Sequence, residues 1–244
     1  MENPGTESKF LSFLKKQSFQ PSPVSLLFHP FYFIRRDLYL NIRKQAVLLS
    51  GNLLDFGCGR KPYENLFSVD SYTGVDLENT GHNHQLSRVD VYYDGKTLPF
   101  RDEHFDSLFC SEVLEHVFNP DDTLAEIGRV LKKGSLALIT TPFCWNEHEA
   151  PFDYARYSSF GMKDLLEKNG FRVKSIHKSG HFTRVYFQLG ALYFYEIFKK
   201  YGLGGKIIAQ ILITPINLTG SLISLFLPRN KSMYFNNIII AEKK

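Results

Sequence analysis

From residue 52 onward, short apolar runs alternate with stretches whose apolar residues recur at helical spacing. The runs predict strands at 52–56, 72–76, 88–93, 105–110 and 135–140, with helices at 61–68 and 121–131 between them. A helix over 159–169 follows, stopped by Gly170, and then a strand from Phe171 to His177. The final strand is Tyr234 to Ala241, whose Ile238-Ile239-Ile240 run suits burial on both faces. Such alternation predicts an α/β fold, a mainly parallel Rossmann-like sheet with helices on both faces. Ligands then gather at the carboxyl ends of the strands.

Two segments depart from this pattern. In residues 1–50, Pro21, Pro23 and Pro30 interrupt helical continuity before an amphipathic stretch resumes from Phe31 to Leu49. This predicts an N-terminal helical cover that packs on the core or shapes a substrate mouth. Residues 182–231 are an apolar insertion before the last strand, with no charge from Ile207 to Pro228. Its length approaches that of a membrane helix. Gln210, Thr214, Pro215, Asn217, Thr219 and Gly220 divide it, so two short helices or a hairpin lying in a membrane surface are expected instead of one span. The expected domains are 1–50, then 51–181 joined with 232–244, with 182–231 inserted.

Composition narrows the class. A chain of 244 residues, 43% hydrophobic and 22% charged, can bury a large core, which argues against disorder. The formal charge of +4 is carried partly by scattered pairs, Lys15-Lys16, Arg35-Arg36, Lys132-Lys133, Lys199-Lys200 and Lys243-Lys244. They make no nucleic-acid footprint, and no nucleic-acid partner is expected. Cys58, Cys110 and Cys144 are odd in number and far apart, which fits a reduced cytoplasmic setting, and no CxxC pair suggests structural zinc. The stretch MENPGTESKF lacks a basic segment followed by an apolar signal core. Lys199, Lys200, Lys206 and Arg229 border the insertion, so it either meets the inner face of a membrane peripherally or is covered within a homodimer or as a helical lid.

The chemistry starts at Asp55-Phe56-Gly57-Cys58-Gly59, where two glycines permit a tight turn and close approach of backbone N–H groups to a ligand. Asp76 closes the second strand, a position suited to ribose hydroxyls. The turn alone also occurs in purely structural loops.

The motifs NLLDFGCG, YTGVDLE, DGKTLPFRDEHFDSLFCSEVLEHV and EIGRVLKKGSLALITTPF are together far more specific. Through them the chain resembles the class I S-adenosylmethionine-dependent methyltransferases, especially type 11, over about 51–178 with 235–241 as the last strand. The resemblance implies seven strands in the order 3-2-1-4-5-7-6, the last antiparallel, and S-adenosyl-L-methionine as cofactor. It assigns Asp55, Gly57 and Gly59 to the methionine and ribose portion, Asp76 to the ribose hydroxyls, and Asp94 with Gly95 to the adenine amino group. Leu77 and Thr97 would line the base pocket, and Glu112 would meet the methionine end. Turn capping is the other reading of Asp55 and Asp94. Lys61 stands where a third glycine is familiar, which is compatible with binding if its side chain points outward, and Pro62 can start the next helix.

For the acceptor, His116 could collect a hydroxyl proton, or could simply order Glu112 or Glu115 at a helix start. His148, oriented by Glu147 or Glu149, is the alternative base. Trp145 and Tyr154 could stack on a ring, and Arg156 could hold a carboxylate or phosphate. Alternatively, Asp153 to Tyr157 fastens this loop to the following helix. The expected reaction is O-methylation of a small or lipid-linked acceptor, such as a sugar, a quinone-like ring or another amphiphile. A soluble natural-product acceptor and a noncatalytic membrane- or partner-binding module are the alternatives. No metal is demanded, and Thr141-Pro142-Phe143 lacks the Asn-Pro-Pro-aromatic loop of DNA methylation.

Overall fold

The computed structural model describes residues 9–77 and 88–244, the side chains of 9–12 excepted. The N-terminal stretch read for a signal core, and Glu78 of the second motif, therefore lie largely or wholly outside the described residues. The chain divides into two compact units, one of Asn41–Ser179 with Tyr234–Lys244 and one of the described residues up to Leu40 with Gly180–Met233.

The first unit is built on a seven-stranded sheet: β1 (Asn52–Phe56), β2 (Ser71–Leu77), β3 (Val91–Tyr93), β4 (Phe105–Ser111), β5 (Leu131–Pro142), β6 (Phe171–Lys178) and β7 (Asn236–Lys243). Their order is β3-β2-β1-β4-β5-β7-β6, and β7 runs antiparallel to both neighbours. Both the order and the reversed last strand agree with the resemblance. Leu53, Leu54, Leu108, Ala137, Leu138, Ile139, Ile238 and Ile239 are fully buried, as strands covered on both faces require. β1 pairs in parallel with β2 and β4, so Phe56, Leu77 and Ser111 end on the same edge of the sheet. Parallel strands place functional loops on that edge.

Helices α3 (Pro120–Val130) and α4 (Ser159–Lys168) match the predicted ones within a residue or so. Pro120 occupies the first turn of α3 beside Asp121 and Asp122, and Ser158 caps α4 by accepting from the Gly161 N–H at 3.1 Å. The helix expected over 61–68 is not formed; only a single 3-10 turn, Glu64–Leu66, is present. Lys61 adopts φ of 51°, in the left-handed region that a helix cannot continue, and Tyr63 and Phe67 pack instead on Phe109. The strand expected over 88–93 shortens to β3.

The second unit holds α1 (Lys9–Phe19), a 3-10 turn Pro23–Leu27, the start of α2 (Tyr32–Ala46), α5 (Phe182–Phe198) and α6 (Gly202–Phe226). The leader and the insertion, expected as separate segments, are thus parts of one unit. α6 is also unbroken over 25 residues, with Pro215 inside it, in contrast to the short helices expected. Three of its polar residues are stitches to the leader: Gln210 and Thr214 donate to the Leu27 carbonyl at 2.7 and 2.8 Å, and Asn217 donates to the Leu26 and His29 carbonyls at 3.2 Å. Gln188 of α5 does the same, accepting from the Phe33 N–H at 3.0 Å and donating to the Pro30 carbonyl at 2.8 Å. A Cβ at Gly220 would stand 2.6 Å from the Phe187 ring, so this glycine lets α5 and α6 approach.

Candidate functional site

A cavity of about 420 Å³ opens at the carboxyl ends of β1, β2 and β4, within the range of small-molecule sites. Its base is formed by Phe56, Gly57, Gly59, Asp76, Leu77 and Tyr93, and its other wall by Glu112, Val113, His116, Val117, Phe118, Glu149, Phe152 and Tyr154. The sheet edge therefore brings together Gly57, Gly59, Asp76, Leu77, Glu112, His116 and Tyr154 from the sequence-derived set.

Gly57 and Gly59 have φ of 73° and 49°, and a Cβ on Gly57 would lie 2.4 Å from Val113 Cγ2. Glycine at 57 is thus dictated by the close packing of the turn under Val113. The expectation that the turn's N–H groups face a ligand is corrected. Gly57 and Cys58 donate to the Val75 carbonyl at 2.9 and 3.1 Å, and Gly59 donates to Asp76 Oδ2 at 2.9 Å. The turn is tied to β2, and what it offers the cavity is shape and a fixed Asp76. The second Asp76 oxygen accepts from the Leu77 N–H at 2.8 Å, leaving further lone pairs for a ligand.

Asp55 lies beneath the turn and off the cavity wall, buried, with the Tyr72 hydroxyl donating to it at 2.6 Å. Burial pushes its carboxyl up to about 7, against the opposing pull of Tyr72. Lys61 turns inward: it is buried and pairs with Asp90, which also accepts from the Gly74 N–H at 2.7 Å. The condition that its side chain point outward is thus not met; the ammonium lies buried against the exposed carboxylate of Asp90. Asp94 and Gly95 stay off the described cavity wall. Asp94 Oδ1 accepts from the Lys96 and Thr97 N–H groups at 2.8 and 3.0 Å, which lowers its pKa and makes it a turn cap. Gly95 reaches the site only indirectly, backing Leu77.

Glu112, at φ of 56°, is held at the wall by Thr140 donating at 2.8 Å and Asn236 at 2.7 Å. A non-glycine residue in that conformation is maintained by surrounding bonds. The 3-10 turn Leu114–His116 follows. His116 Nδ1 lies 2.7 Å from the Phe152 carbonyl, and its ring meets that of His148 edge-on with centroids 4.8 Å apart. Burial lowers the His148 imidazole, with His116 adding to the effect.

Arg156 stays off the described cavity wall and is turned into its own loop. Its guanidinium is bidentate to Asp153 at 2.6 and 2.7 Å and donates to the Trp145, Asn146 and Ala155 carbonyls. These bonds engage its donors and, chiefly through Arg156, hold Asp153 down to about 2. Of the two readings of this segment, anion binding by Arg156 and fastening of the loop after β5, these bonds support the second. Trp145 supplies a carbonyl to the latch and stays off the described wall. Tyr154 does reach the cavity, stacked edge-on with Phe118 at 5.3 Å.

Sequence reasoning missed Phe118, Phe152, Glu149 and Tyr93 as wall residues, and Glu115 behind them. Phe118 had a local signal, an aromatic just after the fourth strand's rim. Glu115 had none, because its burial comes from the loop folding over it: the Tyr154 and Ala155 N–H groups donate to its carbonyl at 2.8 and 3.2 Å.

Comparison with known proteins bears on this geometry. A family model described as a methyltransferase domain, of type 11, matches residues 54–139. The O-methyltransferase rstn1 of Aspergillus nomiae is 29% identical over 148 residues, spanning 50% of this chain and 64% of that protein. Phthiotriol/phenolphthiotriol dimycocerosates methyltransferase 1 of Mycobacterium ulcerans is 35% identical over 122 residues, 47% of this chain and 45% of that protein. The chain thus spans between 45% and 64% of the length of these two curated relatives. Among solved structures, the 4+2 cyclase SpnF superposes with a TM-score of 0.54 at 20% identity, covering 85% of this chain and 81% of that one. That a cyclase shares the fold means that activity has to be argued from the site.

Proposed function

Residues 54–139 are a type 11 methyltransferase domain on the class I fold, and from that premise we propose that the chain is an S-adenosylmethionine-dependent O-methyltransferase acting on a small or lipid-linked acceptor. The observation that carries the reading is the cavity on the carboxyl edge of the sheet with Asp76 on its wall, braced by Gly59 and Leu77.

In this reading the cofactor's ribose hydroxyls donate to Asp76, Leu77 and Tyr93 flank the base, and Glu112 faces the cationic methionine end. The acceptor enters past Phe118, Phe152 and Tyr154 and presents a hydroxyl to the His116–His148 corner. The oxygen attacks the methyl carbon as the C–S bond breaks with its electron pair going to sulfur, and the hydroxyl proton leaves at that corner. The products are a methyl ether and S-adenosylhomocysteine. The sulfonium methyl is already electrophilic, so alignment supplies much of the rate.

The lipid side of the proposal rests on the second unit. Phe182–Phe226 is long and apolar enough to cross a membrane by length and composition, yet only 28% of its most apolar window is buried. Leu203, Ile207, Ile211, Leu218, Leu222 and Leu225 recur along α6 at helical spacing and are all exposed. With Lys199, Lys200, Lys206 and Arg229 at its borders, this face suits peripheral docking on an anionic bilayer.

Calorimetry with S-adenosylmethionine tests the core of the reading. Asp76→Ala should weaken binding by about 10- to 100-fold, the worth of hydrogen bonds to a charged acceptor. A chain that fails to bind the cofactor, or a variant that binds it equally well, would sink the proposal and leave a noncatalytic module. A methyl-transfer screen against soluble and lipid extracts, read by mass analysis, then identifies the acceptor class and the methylated atom.

A further inference from the structure

Glu115 is fully buried, and among the described residues neither of its carboxylate oxygens has a hydrogen-bond partner. Such a group carries its full desolvation penalty and calls for an explanation. Its Oε1 stands 3.8 Å from His116 Nε2. The His116 Nδ1 contact at 2.7 Å is to a carbonyl, which only accepts, so Nδ1 carries a proton and Nε2 is the ring atom left to ligate. A ring nitrogen donating to a backbone carbonyl is the arrangement that orients histidine ligands of metals. One ligating atom each from Glu115, His116 and His148 lie within 4.8 Å of one another. Glu149 Oε2 is 3.5 Å from the same His116 nitrogen, while the nearby Asp153 is engaged by Arg156.

We propose that Glu115, His116 and His148 bind a divalent first-row metal ion of the zinc, cobalt or iron class at the acceptor end of the cavity. Two imidazoles and a carboxylate suit such ions better than magnesium or calcium, which favour all-oxygen shells. Ligands at ~2.1 Å from an ion stand about 3 to 4 Å apart, so closure requires the three side chains to draw together by about 1 Å. The sequence-based expectation of no metal followed from spacing along the chain, whereas this cluster is assembled across the fold. The inference rests on the methyl-transfer reading for its purpose and deepens it. An acceptor hydroxyl on an open coordination position becomes more acidic and releases its proton to solvent, with no change of metal oxidation state.

The test uses the full chain, stripped by dialysis against a chelator and titrated with CoCl2, followed by visible absorption and calorimetry. One equivalent should bind and develop ligand-field bands. Glu115→Gln and His148→Gln should each weaken cobalt by about 10-fold or more while S-adenosylmethionine affinity holds. Should one variant fail to fold, the other decides. No cobalt binding by protein that binds S-adenosylmethionine, or binding unchanged in both variants, overturns the metal site and leaves the methyl-transfer reading standing. Cobalt binding lost in the variants of a chain that does not bind S-adenosylmethionine supports the site and overturns that reading instead.

Discussion

Asp55 is buried against Tyr72 with its carboxyl raised to about 7, so the folded chain holds a proton that the unfolded chain, titrating near 3.8, has already released. Between those values the folded state binds more protons, and stability falls as pH rises through the window, becoming flat above it. The contribution is on the order of a few kcal/mol. Asp55→Asn keeps an acceptor for the Tyr72 hydroxyl and removes the titration. Urea unfolding at pH 4, 5.5 and 7 should therefore show the variant gaining on the wild type as pH rises. Parallel profiles would mean that the Asp55 carboxyl titrates normally. This residue, placed by resemblance beside the cofactor, acts through the floor of the turn; Asp76 is the acid that reaches the cavity.

Helix α6 owes its continuity to the residues that seemed to divide it. Outward-facing Pro215 removes one backbone donor, a cost to an isolated helix. Gln210 and Thr214, on the turns before and beside it, both reach the leader at the Leu27 carbonyl. The buried stitches carry most weight, because their loss leaves backbone groups without partners. Gln188→Ala orphans the Phe33 N–H and the Pro30 carbonyl and should cost about 2–3 kcal/mol. The exposed Thr219→Ala should fall within about 0.5 kcal/mol of wild type. Chemical denaturation of both variants checks this, and equal losses would show that the stitches are dispensable.

At the scale of the whole molecule, the exposed apolar face of α5 and α6 sets its own requirement. Ile211 is 67% exposed and Leu225 78%, beyond what isolated surface residues account for. Flotation of the chain with vesicles containing anionic lipid should recover it in the lipid fraction. Ile211→Glu with Leu222→Glu should abolish recovery, and high salt should weaken it as the basic border is screened. A chain that stays with the aqueous fraction and sediments as a dimer would assign the face to a second copy.

Much of this was legible along the chain because it depends on local spacing. Strand and helix periods, the Gly57–Gly59 turn, Gly170 after α4 and the charge-free run all follow from neighbours in sequence, and strand order followed from the motifs that carry the resemblance. Partner choice was not legible, since it is settled by residues far apart. Arg156 reads as an anion binder or a loop fastener, and Asp153 with three loop carbonyls around its guanidinium selects the second. The direction of Lys61 is open in the sequence until Asp90 pairs with it. Asn217 reads as a helix breaker until the leader's carbonyls meet it, and Glu115 reads as a surface acid until the loop after β5 buries it beside two histidines. Periodicity thus decided most of the strands, α3 and α4, and the edge of the sheet at which the cavity opens. Only folding decided which polar groups remain available to that ligand, because a donor or acceptor is available only when nothing brought in by the tertiary structure has already satisfied it.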